Sequence, residues 1–321
     1  MHRSLLRERA EPDGVAFGSG RAHAKAILFG EHAVLHGSPA LAIPVPALEV
    51  TAHATRFAEA GGISFLLATP PGPVPHPCEG LRHLGEALAG DDRRVEVLLR
   101  CDIPAGRGLG SSAACARAAA VALADLFGLR LDEREVYELV QIAETVNHGR
   151  ASGVDAMTTG ASVPLLFRDG VAEEVRLGFD GCFVIADSGV PGRTRDAVRL
   201  VAEAFEERPG YRERFVGAVT ELIRSSTSDL KDAVGFGRSM TECHGELREL
   251  GLSSPLLDAM ADAATSAGAA GAKLSGGGLG GCVVALAGTP ELALAVSRAL
   301  CDAGAVQTWT VPVGRFSNHD R

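Results

Sequence analysis

Between Ile103 and Phe127 the chain reads IPAGRGLGSSAACARAAAVALADLF, a loop of glycine and serine that runs straight into a segment dominated by alanine. Alanine is the strongest helix former, so a helix is predicted from Ser111 onward, closed by Gly128 as its C-cap. Its small side chains suit close packing. The glycines before it let backbone N–H groups converge with no Cβ in the way, and the helix start adds unpaired N–H groups and the positive end of its dipole. Such a loop serves either as a phosphate cradle or as a tight turn feeding a core helix. It is not the GxxxxGK[ST] loop, because Ser111 and Ser112 follow Gly110 where that motif needs a lysine. The hydroxyl of Ser112, at the helix start, also suits a Mg²⁺ ligand.

Around this segment the pattern alternates between strands and helices. HAKAILFGEHAVLHGSPALAIPVPALEVTAHAT reads as strand, turn, strand; GISFLLATPPGPVPHP runs into a proline-rich loop; GLRHLGEALAG is a short helix and RRVEVLLRCDIP a strand. LDEREVYELVQIAETVNHG is a second helix, with Asp132 as N-cap and Gly149 at its end. ASGVDAMTTGASVPLLFRDG reads as loop then strand, and GCFVIADSGV as a buried strand ending in a polar turn. Several helices follow, then GAKLSGGGLGGCVVALAG and a final helix and strand.

The length of 321 residues exceeds what one core usually serves, so two domains are expected, 1–170 and 171–321. The net charge of -9 argues against a nucleic-acid surface, so an anionic ligand has to be met by local groups. Seven cysteines, odd in number, scattered and without a CxxC pair, indicate neither a disulfide framework nor a zinc site, and fit the reduced thiols of a cytoplasmic protein. The N-terminal MHRSLLRERAEPDG has no apolar stretch long enough for a signal peptide and reads as a polar leader, and no later run is long enough for a membrane span.

Of 31 basic residues only Lys25, Lys231 and Lys273 are lysines. Where arginine is the default cation, a surviving lysine points to a place that needs a compact ammonium. Lys25 lies on the first predicted strand, with Glu31 and His32 in the turn after it. His32 and His36 lack a third ligand nearby, which favours hydrogen bonding over metal binding. Glu144 on the second helix and Asp155 in the glycine-bracketed loop after it can supply two carboxylates to one site, a pairing that suits Mg²⁺ coordination plus a proton acceptor. A second glycine-dense loop, KLSGGGLGGC, shifts the odds for both loops towards a phosphoryl ligand.

Taken in order, AKAILFGEHAVLHGSPALAI, PAGRGLGSSAA and KLSGGGLGGC resemble the kinase superfamily named for galactokinase, homoserine kinase, mevalonate kinase and phosphomevalonate kinase. HGRASGVDAMTTG and DSGVPGRTRDAV make the mevalonate kinase branch the most similar. The resemblance runs from about His23 to Cys282, and joint occurrence is far more specific than any one motif. It departs from the usual pattern at Gly277, where that branch often has alanine, and at Leu279, which interrupts the glycine run.

The resemblance implies an α+β, two-domain architecture with the active site in the interdomain cleft. It also implies ATP- and Mg²⁺-dependent phosphorylation of the 5-hydroxyl of mevalonate. Asp155 then corresponds to the catalytic base and Lys25 to its cationic partner, with Ser112 and Glu144 as Mg²⁺ ligands. Pro104, Gly106, Arg107, Gly108, Leu109, Gly110, Ser111 and Ser112 correspond to the ATP phosphate loop. Glu31, His32, Thr194 and Gly277 correspond to the substrate side. The implied partners are mevalonate and ATP, with no nucleic acid and no membrane, and homodimers are common in the branch. Another acceptor of the superfamily, a phosphomevalonate, a homoserine or a sugar, is the alternative. For a phosphorylated one, Arg107, Arg150, Arg193 and Arg195 are available, although in so arginine-rich a chain they read as solvated charges. A catalytically silent relative would be expected to lack Asp155 or a Mg²⁺ ligand, and all are present.

Overall fold

The computed structural model describes residues 15–68, 72, 74–75, 78–88, 93–149 and 151–314. The polar leader, part of the proline-rich loop and Arg150 lie outside the described residues.

In chain order the elements are β1 (Ala16–Phe29), β2 (Ala40–Ala60), β3 (Ile63–Leu67), β4 (Val74–Pro75), α1 (Glu79–Leu88) and β5 (Arg93–Cys101). The helices α2 (Ser111–Phe127), α3 (Glu133–His148) and α4 (Val154–Thr158) follow, then β6 (Leu165–Arg168), β7 (Val171–Glu174) and β8 (Cys182–Asp187). The last part is α5 (Thr194–Glu207), α6 (Tyr211–Ser228), α7 (Ala233–Glu249), α8 (Pro255–Ser266), β9 (Gly271–Ser275), β10 (Cys282–Ala287), α9 (Pro290–Asp302) and β11 (Gln307–Pro312). The architecture is the expected α+β one, and the chain packs as two units. The first comprises residues 1–24, 48–103 and 111–160, and the second 25–47, 104–110 and 161–321. Packing units and sequence halves are thus different divisions of this chain.

In the first unit β5 pairs antiparallel with β2 from Val50 and parallel with β3. The alanine-rich α2 lies directly on β1. A Cβ on Gly18 would stand 2.2 Å from the carbonyl oxygen of Ala122, and one on Gly20 2.1 Å from that of Ala118. Glycine on the strand and alanine on the helix are therefore two halves of one contact, backbone against backbone. Every residue from Ala113 to Ala120 is buried, including Arg117, whose guanidinium pairs with Glu133 and lies over Gly160. The α3 N-terminus is a capping box, with Asp132 accepting from the Glu135 N–H and Glu135 from the Asp132 N–H, both at 2.8 Å.

In the second unit β11, β8, β10 and β9 form an antiparallel sheet in that order. Every residue of β8, β9 and β10 is buried, because α7, α8 and α9 pack on the sheet. Phe236 of α7 meets the rings of Phe29, Phe179 and Phe183. Residues Ala40–Ala42 of β2 pair with β6, which pairs with β7.

One local expectation is corrected. The segment after Gly153 is not a plain loop, because Val154–Thr158 forms the short helix α4 with Asp155 in its first turn. Gly153, at φ 94°, turns the chain into it, and the Thr158 hydroxyl bonds back to the Val154 carbonyl at 2.7 Å. Five residues are too few for a periodic signal.

Candidate active site

In the second unit Lys25 sits on β1 and is 2% exposed. Its ammonium donates to the Gly108 carbonyl at 3.0 Å, and its own N–H to the Leu109 carbonyl at 3.0 Å. The phosphate-loop candidate is thereby tied to β1 from both the backbone and the side chain. Gly106, Gly108 and Gly110 all have φ near +70° (70°, 73° and 75°), a conformation only glycine adopts without strain. A Cβ on Gly108 would lie 3.0 Å from the Ser275 carbonyl and 3.2 Å from the Gly276 Cα. The two glycine-rich segments therefore face each other in this unit.

Around this loop Pro104 is half-buried, Leu109 and Gly110 are buried, and the Gly106 carbonyl accepts from the Gly192 N–H at 2.7 Å. Arg107 is not the solvated charge expected. Its Nε stands 2.7 Å from Asp187 Oδ1 and its Nη2 donates to the Gly189 carbonyl at 3.0 Å, which pins the loop to the end of β8. Arg193 and Arg195 are exposed, Arg193 lying 3.8 Å from Asp196.

Glu31 and His32 follow β1 in a turn set by Gly30 at φ 102° and His32 at φ 58°. The His32 Nε2–H donates to the Gly277 carbonyl at 2.9 Å, and burial holds its ring below the usual imidazole pKa against that hydrogen bond. His36 packs edge-on against the ring of Phe205 at 5.1 Å, so neither histidine is arranged as a metal ligand. Glu31 is wholly enclosed and ion-paired with Lys273, itself 0% exposed. Burial raises the Glu31 pKa, with Lys273 opposing that shift. Thr194, at the start of α5, stands where a Cβ on Gly277 would come within 2.9 Å of its hydroxyl oxygen. Glu31, His32, Thr194 and Gly277 thus belong to one neighbourhood of this unit, linked through Gly277 and the turn.

In the first unit Ser111 and Ser112 begin α2, and the Ser112 hydroxyl donates to Glu144 Oε1 at 2.7 Å. Asp155 is half-buried on α4, which packs against both α2 and α3. Among the described residues no group of three or more His, Cys, Asp or Glu is placed to hold a metal ion, so a cation here has to be completed by ligand or solvent oxygens. Ser112 and Glu144 fit such a site: a hydroxyl and a carboxylate are the hard donors Mg²⁺ takes, and few protein ligands are usual where phosphates complete the shell.

Two participants were given no role by the sequence reading, Lys273 and Asp187. For Lys273 the scarcity of lysine was a signal, and Asp187 opens the DSGVPGRTRDAV stretch, but neither signal named a partner.

Residues 78–161 match the family GHMP kinases N terminal domain, and residues 219–306 match GHMP kinases C terminal. The chain is 32% identical to the mevalonate kinase of Pyrococcus horikoshii over 296 residues, covering 83% of this chain and 87% of that one. It is 30% identical to the mevalonate kinase of Thermococcus onnurineus over 318 residues, 88% and 92% of the two chains. The solved L. major mevalonate kinase in complex with R-mevalonate superposes with a TM-score of 0.80 at 24% identity, over 92% of this chain and 95% of that one. These matches, over most of the chain, define an ATP-dependent small-molecule kinase. The chain belongs to the GHMP kinase family, among the mevalonate kinases.

Proposed function

We propose that the chain transfers the γ-phosphoryl group of ATP to the 5-hydroxyl of mevalonate. The observation that carries this acceptor is the near full-length likeness to mevalonate kinases. The engagement of Arg107 by Asp187 supports it against a phosphorylated acceptor, since that guanidinium is already committed.

In this reading the hydroxyl oxygen bonds to the γ-phosphorus in line, the bond to the β-phosphate oxygen breaks, ADP leaves and the hydroxyl proton passes to Asp155. Phosphoryl transfer asks mainly for positioning and charge stabilisation. Residues 104–112 hold the ATP phosphates by backbone N–H groups. Lys25 supplies fixed positive charge from a side chain already held by Gly108. Ser112 and Glu144 would hold Mg²⁺, which would supply positive charge to the phosphoryl group in transfer. Glu31, His32, Thr194 and Gly277 face the acceptor. The halves 1–170 and 171–321 are the ATP-binding and C-terminal functional domains in this proposal, and the enzyme is cytoplasmic. None of the seven cysteines is in a disulfide, which supports a reducing compartment, and no helix among the described residues is long and apolar enough to cross a membrane.

A coupled ADP-release assay over mevalonate, phosphomevalonate, homoserine and galactose tests the acceptor. Mevalonate is expected to give the highest kcat/KM, and faster turnover of any other member of the panel rejects the reading. Asp155→Ala should lose the roughly 10²- to 10⁴-fold that a general base supplies while still binding ATP.

A further inference from the structure

We propose that Lys273 is a positioning residue for the phosphoryl acceptor: it holds Glu31 as an anion in one orientation, leaving Oε2 to accept a hydrogen bond from the substrate. This rests on the reading of the chain as an alcohol kinase.

Lys273 lies in mid-β9, enclosed on all sides. Its ammonium donates to Glu31 Oε1 and to the Leu274 carbonyl at 2.6 Å. The second carboxylate oxygen, Glu31 Oε2, is buried and has no hydrogen-bond partner among the described residues. A buried ion pair is seldom more stable than an apolar pair of the same volume, and a buried acceptor left without a donor adds a further cost. The core tolerates both at the one carboxylate that the glycine turn aims. That turn is stiff, because a Cβ on Gly30 would lie 2.6 Å from the Ala40 Cα. Two residues beyond Lys273, the Ser275 hydroxyl takes the Ile27 N–H at 2.9 Å and donates to the Ile27 carbonyl at 3.0 Å. β9 is therefore fastened to β1, the strand that leads into the Glu31 turn, which holds the pair together.

The other titratable groups facing the pair leave the charge to Lys273. On α7, burial pushes the Cys243 thiol up to about 12 and holds His244 below the usual imidazole value, so both are neutral, and Glu246 adds a more distant negative charge. On β1, Lys25 contributes a weaker positive field. The chain's preference for arginine makes the retained lysine informative, since a planar guanidinium does not fit a fully enclosed site between Oε1 and a carbonyl.

The test compares wild type, Lys273→Met, Lys273→Arg and the double variant Lys273→Met/Glu31→Gln. In Lys273→Met, burial outweighs the weaker opposing field of Lys25 and the backbone hydrogen bond, and neutralises Glu31. kcat/KM for mevalonate should fall about tenfold or more at neutral pH, with KM for ATP little changed. Activity should then recover as pH rises through about 8–9, the range of documented buried glutamates, while the wild type stays flat. Lys273→Arg should not restore activity. The double variant, free of buried charge, should fold at least as stably as Lys273→Met and remain slow at every pH. A double variant as active as wild type, or a Lys273→Met whose pH profile follows the wild type, overturns the proposal. A wild type silent on mevalonate overturns the functional reading alone. The pair is then judged by the infrared band of Glu31, carboxylate in the wild type and protonated in Lys273→Met, and an unchanged band overturns it.

Discussion

The Ser112 hydroxyl donates to Glu144 Oε1 at 2.7 Å, joining the first turn of α2 to the C-terminal half of α3. Two helices that pack along their length thereby place a hydroxyl and a carboxylate side by side, where a divalent cation can take both. Ser112→Ala and Glu144→Gln should each raise the Mg²⁺ concentration for half-maximal rate by about 10- to 100-fold, the loss that even an outer ligand partner causes. Their effects should be less than additive in the double variant, because both act on one cation. Full additivity in Mg²⁺ titrations of the four proteins would count against a shared site.

Lys25 offers a test of charge against shape. Its ammonium reaches the Gly108 carbonyl from a site 2% exposed. Lys25→Arg keeps the charge but brings a planar group into that space and should cost 1–3 kcal/mol of stability, an order-of-magnitude overpacking value. Turnover should fall further than ATP affinity. Retention of most activity by Lys25→Arg in steady-state assays would remove the argument from lysine scarcity.

Gly277 stands where the resemblance leads one to expect alanine, and Thr194 supplies a reason. A Cβ there would come 2.9 Å from the Thr194 hydroxyl oxygen and 3.2 Å from its Cα. Gly277→Ala should raise KM for the acceptor several-fold, and Thr194→Ala should relieve part of that defect. The coupling read from the double-mutant cycle should fall at about 0.5–3 kcal/mol, the range for residues in contact.

His244 sets a pH dependence of stability. Its Nδ1 accepts from the Leu274 N–H at 3.1 Å and its Nε2 donates to Asp258 Oδ1 at 3.1 Å, a pattern that only the neutral ring satisfies. Burial first, and the Lys273 charge second, hold its pKa below the usual value. The folded state therefore binds fewer protons than the unfolded one in this window. Its contribution is present above about pH 6.5 and is lost as pH falls towards the depressed folded value, with a slope of up to roughly 1.4 kcal/mol per pH unit. Urea unfolding of wild type and His244→Gln between neutral and mildly acidic pH should show the smaller slope in the variant.

Two glycines should respond in opposite directions to alanine. Gly20→Ala drives a Cβ into the Ala118 carbonyl at 2.1 Å and should destabilise by about 1–3 kcal/mol, displacing α2. Gly217, on the exposed face of α6 with nothing within 4 Å of its Cβ position, should gain up to about 1 kcal/mol from helix propensity. Equal responses in thermal unfolding would refute the packing account of Gly20.

Local chemistry made much of this molecule readable in advance. The α2 helix follows from alanine, the start of α3 from Asp132, and its end from Gly149, all within one turn of the residues that cause them. The glycine loops were legible as ligand-facing backbone, since repeated positive φ angles leave little other choice of residue. The helix α4 was not legible, because its few residues carry no period and its start depends on how Gly153 turns the chain.

What the sequence determined by itself is therefore the kind of element at each position and the residue types brought to the chemistry: hydroxyl, carboxylate, ammonium and bare backbone. What only the tertiary structure decided is which of them meet. Lys273 pairs with Glu31 across 242 positions and Arg107 lies against Asp187, contacts that no short-range pattern encodes. The reason is physical. Propensity and capping act over a turn or two of chain, whereas the energy of a buried charge depends on whatever partner folding places beside it.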